Sequence, residues 1–276
     1  MYTKTIKALL WGTFISLTTH SQAQTKSEEA PLLIIGASFA NANMPYYSDL
    51  QAPLNGIAIN SGRYLSLGNA LIRERRLSGH VINEGQAGAT TFDRLTCFPG
   101  PECVGPGWEG YEKQFSKALS RVTSFSGEVA AEYIVIIRGN DCNHPDAFGI
   151  PMAQTSECTL EQMESYIDTF VSVANRALAA GITPIFSKAP TYEAIDWETV
   201  RGRFNWPWII SKDNYEVFSD LRLSRLQAEV PNAIFLDVWQ GFEPMADGLH
   251  PNRKTMQRAA KRIAKAIKKH RKEKRQ

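Results

Sequence analysis

The chain has 276 residues, of which 43% are hydrophobic and 21% are charged, with four cysteines. This composition excludes both a disordered chain and a small scaffold held together mainly by disulfides. The formal net charge of +3 is unevenly distributed, because residues 253–276 hold 12 Lys and Arg against one acidic residue. The rest of the chain is net acidic, which argues against nucleic acid as a partner.

Residues 1–23 show the ordered features of a secretory signal peptide. Two lysines precede the apolar run Ala8–Leu17, and Ser21 and Ala23 place small residues at the −3 and −1 positions of a cleavage site. The run is shorter than the roughly 20 residues that a membrane-spanning helix needs. An ordinary buried helix is the alternative. We expect cleavage after residue 23 and export, either to the periplasm or out of the cell.

The four cysteines indicate disulfide bonds, which export would permit. Cys97 and Cys103 bracket one short loop, and Cys142 and Cys158 bracket another. Of the three possible pairings, sequence proximity favours Cys97–Cys103 with Cys142–Cys158. Free thiols and a zinc site are the alternatives. Because the chain has no CxxC pair and only His144 lies nearby, we expect no metal.

The body of the chain alternates between strand-like and helix-like segments. Five apolar runs bounded by turn residues predict strands, at Leu32–Ala37, His80–Asn83, Tyr133–Arg138, Thr183–Ser187 and Ala233–Val238. Apolar residues at helical spacing follow each run, at 64–72, 111–122, 163–178, 215–226 and 256–267. This alternation predicts an α/β protein, a doubly wound three-layer domain with helices on both faces of a parallel sheet.

Chemically useful residues follow the predicted strands, at the edge where such sheets bind ligands. Ser38 follows the first strand, Gly88 lies after the second, and Asn140 follows the third. Asp247 and His250 share a turn after the fifth. A serine hydroxyl needs a neighbouring base to act as a nucleophile, and backbone N–H and amide groups stabilise an oxyanion. The set therefore matches acyl transfer through a serine ester.

These residues stand in motifs that resemble those of the SGNH, or GDSL-type, hydrolases. The motifs are GAS at 36–38, NEGQAGATT at 83–91, GND at 139–141 and DGLHP at 247–251. The resemblance covers nearly the whole mature chain, as one domain over residues 24–270, and leaves 271–276 as a basic tail. It implies a flavodoxin-like α/β/α sandwich on a parallel five-stranded sheet.

The resemblance also assigns a role to each position. Ser38 matches the nucleophile, His250 the general base and Asp247 the carboxylate that orients it. The N–H groups of Ser38 and Gly88 and the side chain of Asn140 match the oxyanion hole. No cofactor is implied.

Two positions depart from the family pattern. Ala37 stands where the family usually has Asp, which weakens the motif without removing a reacting group. Arg138 replaces a glycine that commonly precedes GND. A long cation at the active edge would contact an anionic substrate group or form a salt bridge with Asp141, and the salt bridge is the favoured interpretation.

The segment 190–212, after the fourth strand, is rich in aromatic residues, including Trp197, Trp206 and Trp208. Exposed rings there would stack on sugars or shelter an acyl chain. The alternative is that they pack the loop onto the body. Both a carbohydrate O-acyl group and a lipid acyl group fit this pattern.

The sequence therefore predicts an exported serine ester hydrolase that acts on a small-molecule, glycan or lipid ester. An O-acyltransferase with the same triad and a catalytically idle glycan- or lipid-binding module are the alternatives. The last predicted helix has one apolar face and one basic face. The basic face is either simply solvated or makes peripheral contact with an anionic envelope.

Overall fold

A computed structural model describes residues 30–40, 65–74, 77, 80–96, 104–143, 157–204, 206 and 208–276. The predicted signal peptide, the Cys97–Cys103 pair and His144 lie outside the described residues.

Seven strands occur in the described residues, and five of them form one parallel sheet. The strands are Leu32–Ile35 (β1), Val81–Asn83 (β2), Arg94–Thr96 (β3), Val104–Trp108 (β4), Tyr133–Ile136 (β5), Thr183–Ser187 (β6) and Ile234–Leu236 (β7). The sheet has the spatial order β2-β1-β5-β6-β7, which is the flavodoxin-like order. Its strands coincide with the five predicted ones. β3 and β4 form a separate antiparallel hairpin.

Each face of the sheet carries its own apolar core, which explains why β1 is an unbroken apolar run. Leu32 and Ile34 pack into the core on one face, whereas Leu33 and Ile35 pack into the core on the other. A strand covered on both faces has no need for alternating polar side chains.

The described residues contain six α-helices, five of which supply the two outer layers. They are Leu67–Ile72 (α1), Tyr111–Ser120 (α2), Leu160–Ala179 (α3), Trp197–Phe204 (α4), Lys212–Glu229 (α5) and Arg253–Glu273 (α6). α1 and α6 pack together over one core, and α2, α3 and α5 cover the other. The predicted three-layer α/β/α class is therefore confirmed.

The helix α4 lies within the aromatic-rich segment 190–212, for which a loop was predicted. Trp197 and Val200 are buried in a third apolar cluster, at the end of the sheet. The Asp196 carboxylate accepts a hydrogen bond from the Thr199 N–H at 3.0 Å, as a helix N-cap does. The Asp-to-Thr spacing was a local signal for this helix.

The basic helix α6 is amphipathic, as predicted. Met256, Ile263 and Ile267 are buried against the sheet, whereas Lys261 and Lys265 are exposed. The helix ends at Glu273, so the first three of the six residues predicted as a basic tail, 271–276, are helical. Among the described residues, no helix combines the length and the apolar character needed to cross a membrane.

Candidate active site

The candidate site lies between β1 and β5, where the strand order reverses. Crevices at such switch points bind ligands in open α/β sheets. Ser38 follows β1, and Arg138, Gly139 and Asn140 follow β5. All four line one cavity of about 60 Å³. Leu249, the residue before His250, lines the same cavity. The topology thus brings residues of three of the motifs, GAS, GND and DGLHP, to one cavity. Gly88 and His250 are not among its described lining residues.

Ser38 lies on a tight turn at the end of β1. Gly36 has a φ of +143°, and a Cβ at this position would lie 2.8 Å from the carbonyl oxygen of Ile137. The Ala40 N–H donates to the Ala37 carbonyl at 3.0 Å and closes the turn. Only glycine permits this close approach of the two strand ends, which leaves Ser38 in the cavity wall.

Asn83, at the end of β2, holds the serine turn from the other side. Its Nδ2 donates to the Ala40 carbonyl at 2.8 Å, and its Oδ1 accepts from the Gly85 N–H at 3.1 Å. No role for Asn83 was predicted from its place in the NEGQAGATT motif. In the structure, the Asn83 side chain connects the loop that carries Ser38 to the loop that carries Gly88 through these two hydrogen bonds.

Gly88 lies in a loop that the β3–β4 hairpin supports. Its φ is +86°, and a Cβ there would lie 3.0 Å from Nε1 of Trp108. The Trp108 Nε1–H donates to the Ala87 carbonyl at 2.6 Å, and the Arg94 guanidinium lies 4.5 Å from the Trp108 ring centroid. The hairpin therefore fixes the backbone around Gly88, a contribution that no sequence pattern predicted.

Asn140 and its neighbour Asp141 connect their own loop to the loop of Gly88, two of the three loops that carry the predicted oxyanion-hole residues. The backbone N–H and the Nδ2 of Asn140 both donate to the Ala89 carbonyl at 3.0 Å. The Asp141 Oδ1 accepts from the N–H and the hydroxyl of Thr91, at 2.9 and 2.8 Å. An amide nitrogen carries two hydrogens, so a second one remains on Asn140 for a substrate oxygen.

His250 and Asp247 form a buried pair. The Nδ1 of His250 lies 2.8 Å from Oδ2 of Asp247, while Oδ1 accepts from the N–H groups of Leu249 and His250, both at 2.9 Å. Burial opposes ionisation of Asp247, but the hydrogen bonds and charge of His250 outweigh it and lower the pKa of Asp247. A carboxylate on Nδ1 orients the ring and leaves Nε2 to act on protons.

The His250 ring lies beside the serine turn. Phe39, the residue after Ser38, has its ring centroid 5.9 Å from that of His250, and it also contacts the Trp239 ring at 5.3 Å. This aromatic contact connects the turn of the proposed nucleophile to that of the proposed base.

Arg138 does not form the salt bridge that the sequence analysis favoured. Within the described residues, its Nη1 donates to the Ser219 hydroxyl at 2.8 Å and its Nη2 to Oδ1 of Asn143 at 2.9 Å. The guanidinium lies 4.5 Å from the Tyr215 ring centroid. The carboxylate of Asp141 instead faces Thr91, because that loop supplies it with two donors.

The three tryptophans singled out from the sequence lie in different surroundings. Trp197 and Trp206 line the cavity, and Trp197 is also buried, with its Nε1–H donating to the Tyr192 carbonyl at 3.0 Å. Trp208 is not among the described residues that line the cavity. It packs against the third apolar cluster instead.

A disulfide joins Cys142 to Cys158, with 5.5 Å between their Cα atoms, as sequence proximity predicted. It connects the loop that carries Asn140 to the start of α3. Among the described residues, no group of three or more His, Cys, Asp or Glu side chains is placed to hold a metal ion.

Comparison with solved structures identifies the fold of the chain. A protein of Sinorhizobium meliloti described as a carbohydrate acetylesterase family member aligns with 86% of this chain and 97% of its own, at 14% identity and a TM-score of 0.54. The fold is that of the SGNH hydrolases. A protein of Agrobacterium tumefaciens for which arylesterase activity is proposed shares this SGNH fold, over 87% of this chain and 99% of its own, at 15% identity and a TM-score of 0.51. No family model and no curated protein sequence matches the chain.

Proposed function

We propose that this protein is an exported carboxylic ester hydrolase that works through an acyl-enzyme on Ser38. The observation that carries the proposal is the buried His250–Asp247 pair beside the Ser38 turn, at the switch point of an SGNH fold. Export rests on the signal-peptide features of residues 1–23.

The acylation step uses groups that this chain supplies. The Ser38 Oγ attacks the carbonyl carbon of the ester while His250 Nε2 takes the hydroxyl proton. Asp247 holds the Nδ1–H of the ring and stabilises the imidazolium that forms. The tetrahedral intermediate then collapses, the C–O bond to the alcohol breaks, and the imidazolium returns the proton to the leaving alcohol. The acyl group is left on Ser38.

Deacylation repeats these steps with water as the nucleophile. His250 takes a proton from water, the resulting hydroxyl attacks the acyl carbonyl, and Ser38 leaves with the proton that the ring returns. In both steps, negative charge develops on the carbonyl oxygen. The N–H groups of Ser38 and Gly88 and the Nδ2 of Asn140 are the proposed donors to it. Hydrogen bonds among their three loops, from Asn140 to Ala89 and from Asn83 to Ala40, fix these donors before substrate binds, which is what makes such donors effective.

The cavity size favours a short acyl group. Its volume of about 60 Å³ is smaller than the roughly 150 Å³ of an engineered protein cavity that holds benzene. Of the ester types that the sequence left open, a small O-acyl group such as acetyl therefore fits better than a lipid acyl chain.

The test is hydrolysis of p-nitrophenyl acetate by the mature protein and by Ser38→Ala, with Ser224→Ala as the matched control because Ser224 is exposed on α5. We expect Ser38→Ala to lose turnover and fluorophosphonate labelling, and the control to keep both. Equal hydrolysis by wild type and Ser38→Ala would exclude Ser38 as nucleophile. Acetyl transfer from the same ester to sugar acceptors, in preference to water, would instead identify an O-acyltransferase.

A further inference from the structure

The wall of the cavity beside Ser38 contains an arginine whose hydrogen-bond partners, among the described residues, are neutral groups. Arg138 is half-buried and lies over two aromatic rings of α5, 4.5 Å from the Tyr215 centroid and 4.8 Å from the Phe218 centroid. Its hydrogen bonds go to the Ser219 hydroxyl and the Asn143 amide oxygen. Within the described part of the chain, no carboxylate forms an ion pair with it.

The guanidinium of Arg138 retains donors for a ligand. A guanidinium has five N–H groups in a planar fork, and Ser219 and Asn143 accept two of them. The Nε is covered by protein atoms, so the donors that remain for a ligand are the second hydrogens of Nη1 and Nη2. Because the two aromatic rings and the two hydrogen bonds fix the plane of the fork, a ligand would meet donors that are already oriented.

A second arginine adds positive charge behind the first. Arg222, on α5, is fully buried, and its Nη2 donates to the carbonyl of Ser187, another residue of the cavity wall. Burial, together with repulsion from nearby Arg138, lowers the pKa of Arg222 to about 10. Lys188, which is exposed, also lines the cavity.

Among the described residues, the carboxylates near the cavity compensate only part of this positive charge, because Asp141 is the one that attracts both arginines. Asp247 is occupied by His250, and the hydrogen-bonded oxygen of Asp141 faces Thr91. Burial raises the pKa of Asp141, although Thr91 and Arg138 counteract this rise. In the described part of the chain, the half-buried Arg138 and the buried Arg222 therefore lie near one buried carboxylate, that of Asp141, and the exposed Lys188 adds a third positive charge to the cavity wall. Buried charge without a partner is unfavourable, so an anion bound in the cavity would relieve this imbalance.

We propose that Arg138 binds a carboxylate carried by the ester substrate, so that the enzyme selects anionic esters. The inference rests on the proposed hydrolase function and names its substrate class. Arg and carboxylate form paired, charge-assisted hydrogen bonds, for which a planar fork is better suited than a lysine. Arg138 lies at the end of β5, beside the β6 end that carries Ser187 and Lys188. The carboxylate therefore binds on the β6 side of Asn140, and the reacting carbonyl on the β1 side, next to Ser38.

The competing explanation is that Arg138 only braces the loop of Asn140. Asn143, which accepts from Arg138, donates in turn to the Gly139 carbonyl at 3.2 Å. A brace of this kind would affect anionic and neutral esters equally. The ratio of their kcat/KM values therefore separates the two explanations.

The first experiment uses the wild-type protein and two matched pairs of substrates. Monomethyl succinate and methyl succinamate differ by a carboxylate or an amide in the acyl half, and p-acetoxybenzoate and p-acetoxybenzamide differ in the same way in the alcohol half. We expect kcat/KM for the carboxylate to exceed that for the amide by about 10- to 100-fold in one pair, as one charged hydrogen-bonded contact provides. The pair that shows the preference identifies which half of the ester, acyl or alcohol, carries the carboxylate that Arg138 binds. The absence of preference in both pairs overturns the inference.

The second experiment assigns the preference to Arg138. Arg138→Met is expected to bring the carboxylate-to-amide ratio close to one, and Arg138→Lys to give an intermediate ratio because it keeps the charge without the fork. Arg225→Met is the control, since Arg225 lies on α5 and pairs with Asp168 and Glu229. It should retain the wild-type ratio. A wild-type ratio in Arg138→Met, or equal losses on both esters, contradicts substrate recognition by Arg138.

A binding measurement separates failure of this inference from failure of the proposed function. Calorimetric titration of Ser38→Ala with p-acetoxybenzoate, p-acetoxybenzamide, monomethyl succinate and methyl succinamate requires no turnover. Tighter binding of the carboxylate, lost when Arg138→Met is added, supports the inference even if Ser38 were not the nucleophile. Equal binding of carboxylate and amide in both pairs overturns it, even if hydrolysis depends on Ser38.

Discussion

The Nδ1 of His250 lies 2.8 Å from Oδ2 of Asp247, and both side chains are buried. The other carboxylate oxygen accepts two backbone N–H groups of the same turn. Asp247 is therefore fixed by its own loop, and the orientation of the His250 ring follows from it. A pair built in this way supports catalysis only while the carboxylate is ionised and accepts from Nδ1–H.

Asp247→Asn should lower kcat for p-nitrophenyl acetate by about 10³- to 10⁴-fold, because an amide in this position favours the wrong tautomer of the ring. Single-turnover and steady-state rates at neutral pH test this expectation. Asp220→Asn, an exposed change on α5, is the control and should leave the rate unchanged. A loss of less than tenfold in Asp247→Asn would show that another group orients the base.

Asn140→Ala should lower kcat by about 10²- to 10³-fold with a small change in KM, since an oxyanion donor acts mainly in the transition state. Steady-state kinetics with p-nitrophenyl acetate provides both constants. Asn232→Ala, in the exposed turn before β7, is the matched control. A rise in KM at unchanged kcat would assign Asn140 to substrate binding instead.

Much of this site could be predicted because it follows from local sequence and from the topology of parallel sheets. The apolar runs predicted the strands, and the residues just after them, such as Ser38 and Asn140, had to meet at one edge. The contact of His250 with Asp247 was also predictable, since it joins residues three positions apart in one turn.

The features that were missed depend on contacts between distant parts of the chain. The partners of Arg138 on α5 lie about 80 residues later in the chain. No local pattern shows that Arg138 contacts an aromatic pair and a serine there and forms no salt bridge with Asp141. The hairpin that supports Gly88 was missed for a related reason. β4 contains two glycines and a proline, which hide the alternation that would predict a strand.

Asp141→Asn should stabilise the protein more at pH 7 than at pH 3. Burial raises the pKa of Asp141 in the folded state above its ordinary value of about 3.9, so the free energy of unfolding decreases as the pH rises through this range. The amide removes this decrease and still offers an oxygen to Thr91. Urea unfolding of both proteins at the two pH values measures the difference. A larger stabilisation at pH 3 would show that attraction from the neighbouring arginines outweighs burial.

Replacing Cys142 and Cys158 together by serine should lower both stability and turnover. The disulfide closes a loop with a sequence separation of 16, for which the expected loss in free energy of unfolding is about 3 kcal/mol.

Cys142 also has a φ of +61°, a conformation that few residues other than glycine adopt, and it lies two residues after Asn140. Without the bond, this backbone should relax and displace the Asn140 amide, so kcat should fall more than KM changes. Urea unfolding and p-nitrophenyl acetate kinetics measure the two effects, and wild type treated with dithiothreitol should reproduce both. Loss of stability at unchanged kcat would limit the disulfide to a structural role.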